Sequence, residues 1–109
     1  MKLDTRHFGY HIAQVEIDSI RHKALRRFVE SGKPKGLDAD VADRLRKMIA
    51  YLVAIETASE LRVPPNWGAH ELTGDRKGAW SLTVTKNWRM TFRVDENGAI
   101  ADLDLEDYH

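Results

Sequence analysis

The last third of the chain, from Trp80 onward, alternates apolar and polar residues with a period of two. That period is the mark of a strand with one buried face. Trp80, Leu82 and Val84 fall on one side, and Ser81, Thr83 and Thr85 on the other. The alternation restarts after Lys86-Asn87, with Trp88, Met90, Phe92 and Val94 on one side and Arg89, Thr91 and Arg93 on the other. Asn97-Gly98 predicts a two-residue hairpin turn, because both central residues of a type I′ turn need positive φ. The returning strand then runs from Ala99 to Asp107. With Glu96 facing Ala99, Phe92 meets Leu103 and Met90 meets Leu105 on the apolar face. On the polar face Arg93 meets Asp102 and Arg89 meets Glu106. Arg89 is thereby expected close to Asp107, Tyr108 and His109.

Upstream the period changes to that of helices. His22 to Glu30 predicts a short helix with Leu25, Phe28 and Val29 inward, ended by Ser31-Gly32. Val41, Leu45, Met48, Ile49, Leu52 and Ile55 mark one face of a second helix, with Asp38 or Asp40 to cap it. A short helical turn is expected from Ala58 to Leu61, before Pro64-Pro65 stops it. Ala69 to Leu72 reads as a short strand, linked by Thr73 to Gly78 to the strand beginning at Ala79. Val15, Ile17 and Ile20 suggest a further short strand. The expected fold is α+β, with two antiparallel helices packed on one face of a small antiparallel sheet. Residues 1–16 show no period and are expected to be an N-terminal extension, disordered or capping; 17–109 form a single domain.

Charge and composition narrow the class. No apolar run approaches the ~18 residues of a membrane span, and the N-terminus has no hydrophobic stretch suited to a secretory signal. A soluble cytoplasmic protein is expected. The chain has no cysteine, so thiolate metal sites and disulfides are excluded. His7 and His11 have i, i+4 spacing but no third ligand, so no metal is expected. The net charge of zero hides an asymmetry: residues 20–94 carry fifteen Lys and Arg against eight Asp and Glu, whereas residues 95–109 carry six acids and no Lys or Arg. A basic body of this kind can still present a positive surface to a polyanion.

No phosphate-cradling glycine loop or nucleophile elbow is present. The chemistry-bearing types are His70 on the first sheet strand, Arg89 on the third, Asp107-Tyr108-His109 at the end of the fourth, and Arg76 and Lys77 in the loop after His70. They suit metal-free cleavage of RNA. That reaction needs a base for the ribose 2′-OH, an acid for the departing 5′ oxygen, and a cation for the charge that builds on phosphorus. Histidine titrates near neutral pH, arginine offers a planar fork to phosphate oxygens, and tyrosine stacks on bases. Arg89 and Arg93 also fit a purely structural role as cross-strand ion-pair partners.

Four segments, IRHKALRRFVESG, HELTGDRKGAWSLTV, NWRMTFRV and the terminal LEDYH, occur in an order and spacing that resemble the HigB toxins of type II toxin–antitoxin systems. These plasmid-maintenance killer proteins belong to the RelE/ParE superfamily, and the resemblance runs from Ile20 to His109. It implies a RelE-like microbial ribonuclease fold and an mRNA endoribonuclease, or mRNA interferase, that works in the ribosomal decoding site without a cofactor. It implies as partners a helix-turn-helix, HigA-like antitoxin and the 70S ribosome with mRNA, with operator DNA contacted only through the antitoxin.

Carried over by residue, the resemblance makes His109 the principal proton-transfer group, held by Asp107. It makes Arg89 the cation that stabilises the phosphorane, Tyr108 a group that positions the nucleotide or His109, and His70 a second acid, base or orienting group. Arg76 matches a basic loop position and becomes an RNA contact, and Lys77 and Arg93 are expected to be further RNA contacts beside it. Many relatives have a proline after the histidine and a lysine before the glycine, where this chain has Glu71 and Thr73. Two other readings stay open at this point: a non-enzymatic ParE-like toxin that poisons gyrase, and an inactive homologue that acts only as antitoxin-bound co-repressor.

Overall fold

The helix boundaries follow from capping groups at each end. The computed structural model describes residues 17–95 and 98–107, and in it helix α1 spans Lys23–Ser31. His22 lies just outside it as the N-cap, its Nδ1 accepting the Leu25 N–H at 3.1 Å. Gly32, at φ 77°, ends the helix by donating its N–H to the Phe28 carbonyl at 2.8 Å, a left-handed position that glycine takes without strain. Helix α2 spans Ala39–Ala54. Asp38 is its N-cap residue but makes no side-chain cap bond; Asp40 Oδ1 instead accepts the Val41 N–H at 3.0 Å. A 3-10 turn at Ala58–Arg62 follows, with Glu60 accepting the Thr57 and Glu56 N–H groups in a capping box.

Four strands complete the fold: β1 (His70–Glu71), β2 (Ala79–Thr83), β3 (Trp88–Val94) and β4 (Ile100–Asp107). They form one sheet in the order β1-β2-β3-β4, and every neighbouring pair is antiparallel. Strand β1 is shorter than the expected Ala69–Leu72, although the Leu72 N–H still bonds the Ala79 carbonyl at 2.7 Å. The expected first strand is not a strand among the described residues. Ile17 and Ile20 make isolated parallel bridges to Ile100 and Leu103, so this segment straps the outer edge of β4. Val15 lies outside the described residues, as do His7, His11 and the rest of the N-terminal extension.

The buried residues of both helices, including Leu25, Phe28, Leu45, Met48 and Leu52, belong to the same hydrophobic cluster as Trp80, Leu82, Met90, Phe92, Leu103 and Leu105 of the sheet. Two arginines close over this cluster. Arg62 stacks on Trp80 at 4.7 Å from the ring centre, and Arg46 on Phe28 at 5.3 Å.

The β3–β4 register corrects one expectation. From Trp88 to Thr91 the pairs are as predicted: Arg89 faces Glu106 and Met90 faces Leu105. Nearer the turn they slip by one, so Arg93 faces Ala101 and Val94 faces Ile100. Arg93 does not meet Asp102. The cause lies in two places. The Asp95 N–H bonds the Ala99 carbonyl and the Gly98 N–H bonds the Asp95 carbonyl, which makes the connection three residues long, with Gly98 at φ 84°. Asp102, at φ 55°, is then an extra residue in β4, a bulge that restores the predicted pairing beyond it. Asn97 and Glu96 themselves lie outside the described residues.

Candidate functional site

The sheet face opposite the core gathers the polar residues. Antiparallel register aligns His70, Ser81, Thr91 and Asp104 in one cross-strand row, and Thr83, Arg89 and Glu106 in the next. Glu106 is the centre of this face. Its carboxylate takes a bidentate fork from Arg76, at 2.9 Å to Oε1 and 2.5 Å to Oε2. Arg89 Nη2 donates to Oε1 at 3.1 Å, and the Thr91 hydroxyl donates to Oε2 at 2.5 Å. The Arg76 bonds come first among the causes that pull the Glu106 carboxyl from its ordinary 4.5 to about 2, against the opposing effect of burial. The same bonds push the Arg76 guanidinium up.

Arg76 reaches this point from the β1–β2 connection, where Gly74 at φ 69° starts the 3-10 turn Gly74–Arg76. The turn carries the guanidinium over β2 and β3 to β4. Arg76, Thr91, Arg93, Asp102, Asp104 and Glu106 line a concavity of about 200 Å³ there, with Arg21 at its rim. The charges of its wall balance, with three arginines against three carboxylates. Arg21 lies 3.5 Å from Asp102, and Arg93 Nη1 donates to the Lys77 carbonyl at 3.2 Å.

The other sequence-predicted residues stand further out. His70 is exposed at the sheet edge, two strands from Thr91 in the same row, or about 10 Å by strand spacing. Its Nδ1 lies 2.8 Å from the Gly68 carbonyl. A carbonyl only accepts, so that contact holds the proton on Nδ1 and leaves Nε2 as the proton-accepting nitrogen of the neutral ring. Lys77 is exposed at the end of the Gly74–Arg76 turn. Asp107 faces Trp88 rather than Arg89, so alternation puts it on the side of Trp88. Tyr108 and His109 lie outside the described residues.

Two members of the face were not picked out from the sequence as site residues. Glu106 was legible only as a partner for Arg89, and Thr91 as one more outward threonine. The approach of Arg76, from thirty positions away, has no local signal. Among the described residues no group of three or more His, Asp or Glu is placed to hold a metal, and no helix is long and apolar enough to cross a membrane.

Residues 18–109 match the family described as the RelE-like toxin of the type II toxin–antitoxin system HigB. The chain belongs to the HigB-like toxins. It is 41% identical over 95 residues to the endoribonuclease HigB of Proteus vulgaris, an alignment that covers 85% of this chain and 99% of that one. Solved structures give the same fold at lower identity. The YoeB/ParE toxin of Agrobacterium tumefaciens superposes with a TM-score of 0.55 at 15% identity, over 87% of this chain and 99% of that one. The toxin of the E. coli DinJ-YafQ toxin–antitoxin complex does so with 0.54 at 16% identity, over 86% and 94%. As a member of this family, the chain is the toxin half of a toxin–antitoxin pair.

Proposed function

We propose that this HigB-like toxin is an endoribonuclease that cuts mRNA in the ribosomal decoding site by metal-independent acid–base chemistry. In this reading the two helices form a layer on the apolar face of the sheet and leave the polar face open to RNA. The base draws the proton from a ribose 2′-OH, O2′ attacks phosphorus, and the P–O5′ bond breaks as the acid protonates the leaving oxygen. His109, held by Asp107, is the principal proton-transfer group. His70, with Nε2 as its acceptor nitrogen, is the second. Arg89 stabilises the charge on the phosphorane oxygens. Tyr108 positions the nucleotide, and Arg76, Lys77 and Arg93 hold the strand. The toxin acts in the cytoplasm and is neutralised by a helix-turn-helix antitoxin, through which it reaches operator DNA. Residues 17–109 are its single domain, and 1–16 an extension to it.

The observation that carries this reading is the pairing of Arg89 with Glu106. It sets a guanidinium beside the strand that leads directly into Tyr108 and His109, in a chain 41% identical to an endoribonuclease. Primer extension on a defined mRNA, with and without programmed ribosomes, tests it. New 5′ ends are expected only with ribosomes, and are expected to disappear when His109 alone is deleted, with the fold intact by circular dichroism. Intact mRNA in both arms, or full cleavage by the truncated chain, overturns it.

A further inference from the structure

The Glu106 carboxylate receives donors from three separate places: a loop arginine, a strand arginine and a strand hydroxyl. A single salt bridge would have needed one of them. Two guanidinium groups and a hydroxyl converging on one pair of oxygens form a cradle for a small monoanion. The paired non-bridging oxygens of a phosphodiester resemble a carboxylate in charge and in their match to a guanidinium fork. Arg76, Thr91 and Glu106 line the concavity of about 200 Å³ described above, so the cradle is reached from the polar face on that side, with Arg89 behind it.

We propose that Arg76, Arg89 and Thr91 form a binding site for one phosphodiester group of RNA, and that Glu106 is its internal occupant in the free protein. The inference rests on the nuclease reading for the identity of the ligand, but not for the existence of the site. Glu106 and the incoming phosphate compete for the same donors. A tethered carboxylate competes at an effective concentration of the order of millimolar or more, so an isolated phosphodiester displaces it poorly. An RNA strand held at other points, as a ribosome holds it, gains the same advantage of tethering and can exchange with Glu106. If the cradle is free only about a tenth of the time, apparent affinity falls about tenfold. Glu106 is the carboxylate that the cradle's donors bond directly, while Asp104 acts on Arg76 through its charge. Asp104 Oδ1 accepts the Leu105 N–H at 2.9 Å, and Asp102 is turned towards Arg21.

Glu106→Gln keeps the shape, removes the charge and leaves the concavity with a net positive wall. Three probes are titrated against wild type and variant: dimethyl phosphate, inorganic phosphate, and a 2′-O-methyl RNA trinucleotide that cannot be cleaved. The guanidinium NMR resonances of Arg76 and Arg89 report occupancy, with those of Arg44 on α2 as a remote control. The expected result is an approximately tenfold gain in affinity for dimethyl phosphate and the trinucleotide in Glu106→Gln. The gain should be lost in Arg76→Ala/Glu106→Gln. In the wild type the same resonances should move only at correspondingly higher concentration.

Equal midpoints in wild type and variant, or weaker binding by a folded variant, overturn the proposal. A gain for inorganic phosphate alone overturns the RNA assignment. Should Glu106→Gln fail to fold, the wild-type titration decides alone: a shift at Arg44 equal to those at Arg76 and Arg89 overturns the site. Wild-type primer extension is run in parallel. Intact mRNA there sinks the nuclease reading, while the affinity gain, if seen, still supports the anion site.

Discussion

The two faces of the sheet are built from neighbouring residues of the same strands and held by different physics. On one, Leu82, Met90, Phe92 and Leu103 are almost wholly removed from water, and their contribution is non-directional. On the other, Arg76, Arg89, Thr91 and Glu106 are ordered by hydrogen bonds between charged groups. The first face supplies most of the buried apolar surface; the second adds a smaller, pH-dependent contribution through charged hydrogen bonds. Alternation along β3 therefore separates apolar packing from charged hydrogen bonding at a spacing of one residue.

That separation can be broken from either side. Phe92→Ala, which empties a fully buried position, is expected to cost about 3–5 kcal/mol in urea unfolding. It leaves no polar-face donor missing, so a loss near zero would show that the apolar face does not hold the fold. Acid titration probes the other side. The Glu106 carboxyl is held down to about 2 from 4.5, so its contribution is complete above its unfolded value and lost as pH falls through about 2. The full shift corresponds to about 3 kcal/mol. Arg76, with 43% of its side chain exposed, is screened by solvent, so about 1–2 kcal/mol is expected. Wild type should lose that much more stability than Glu106→Gln between pH 4.5 and 2, and parallel curves would contradict it. The smallest effect sharpens the contrast. Ser81 lies on the polar face, yet its hydroxyl is buried with no hydrogen-bond partner among the described residues. Ser81→Ala should change stability by no more than about 0.5 kcal/mol, in the stabilising direction, by thermal unfolding.

Much of this was legible in the sequence because strand alternation is a strong local signal. It placed Arg89 opposite Glu106 and Met90 opposite Leu105. It misread the turn end of β4, and the clue lay in the same pattern: Ile100 and Leu103 are both buried although three residues apart. A strand can bury both only across a bulge. The helices were found to within a residue or two at most ends, but His22 proved to be a cap rather than a helical residue, since histidine is not among the usual capping types. Arg76 reads from the sequence as a basic loop residue, but its target does not, because a contact across thirty positions depends on the turn at Gly74 and on the finished sheet. Asp107 faces Trp88, as the same register predicts, one position along β4 from the partner of Arg89.

Asp102 behaves as an insertion whose effect on the strand has been suppressed. The ladder on either side would join without it: removing this one residue brings Leu103 opposite Phe92 and keeps Glu106 opposite Arg89, so neither face changes hands. The cost falls elsewhere. As the bulged residue, Asp102 turns its N–H away from β3 to Ser19 Oγ at 2.7 Å, and its carboxylate lies beside Arg21. A deletion there is therefore silent for the sheet and felt by the strap at residues 17–21, which makes the bulge a fastening point rather than a flaw in the strand.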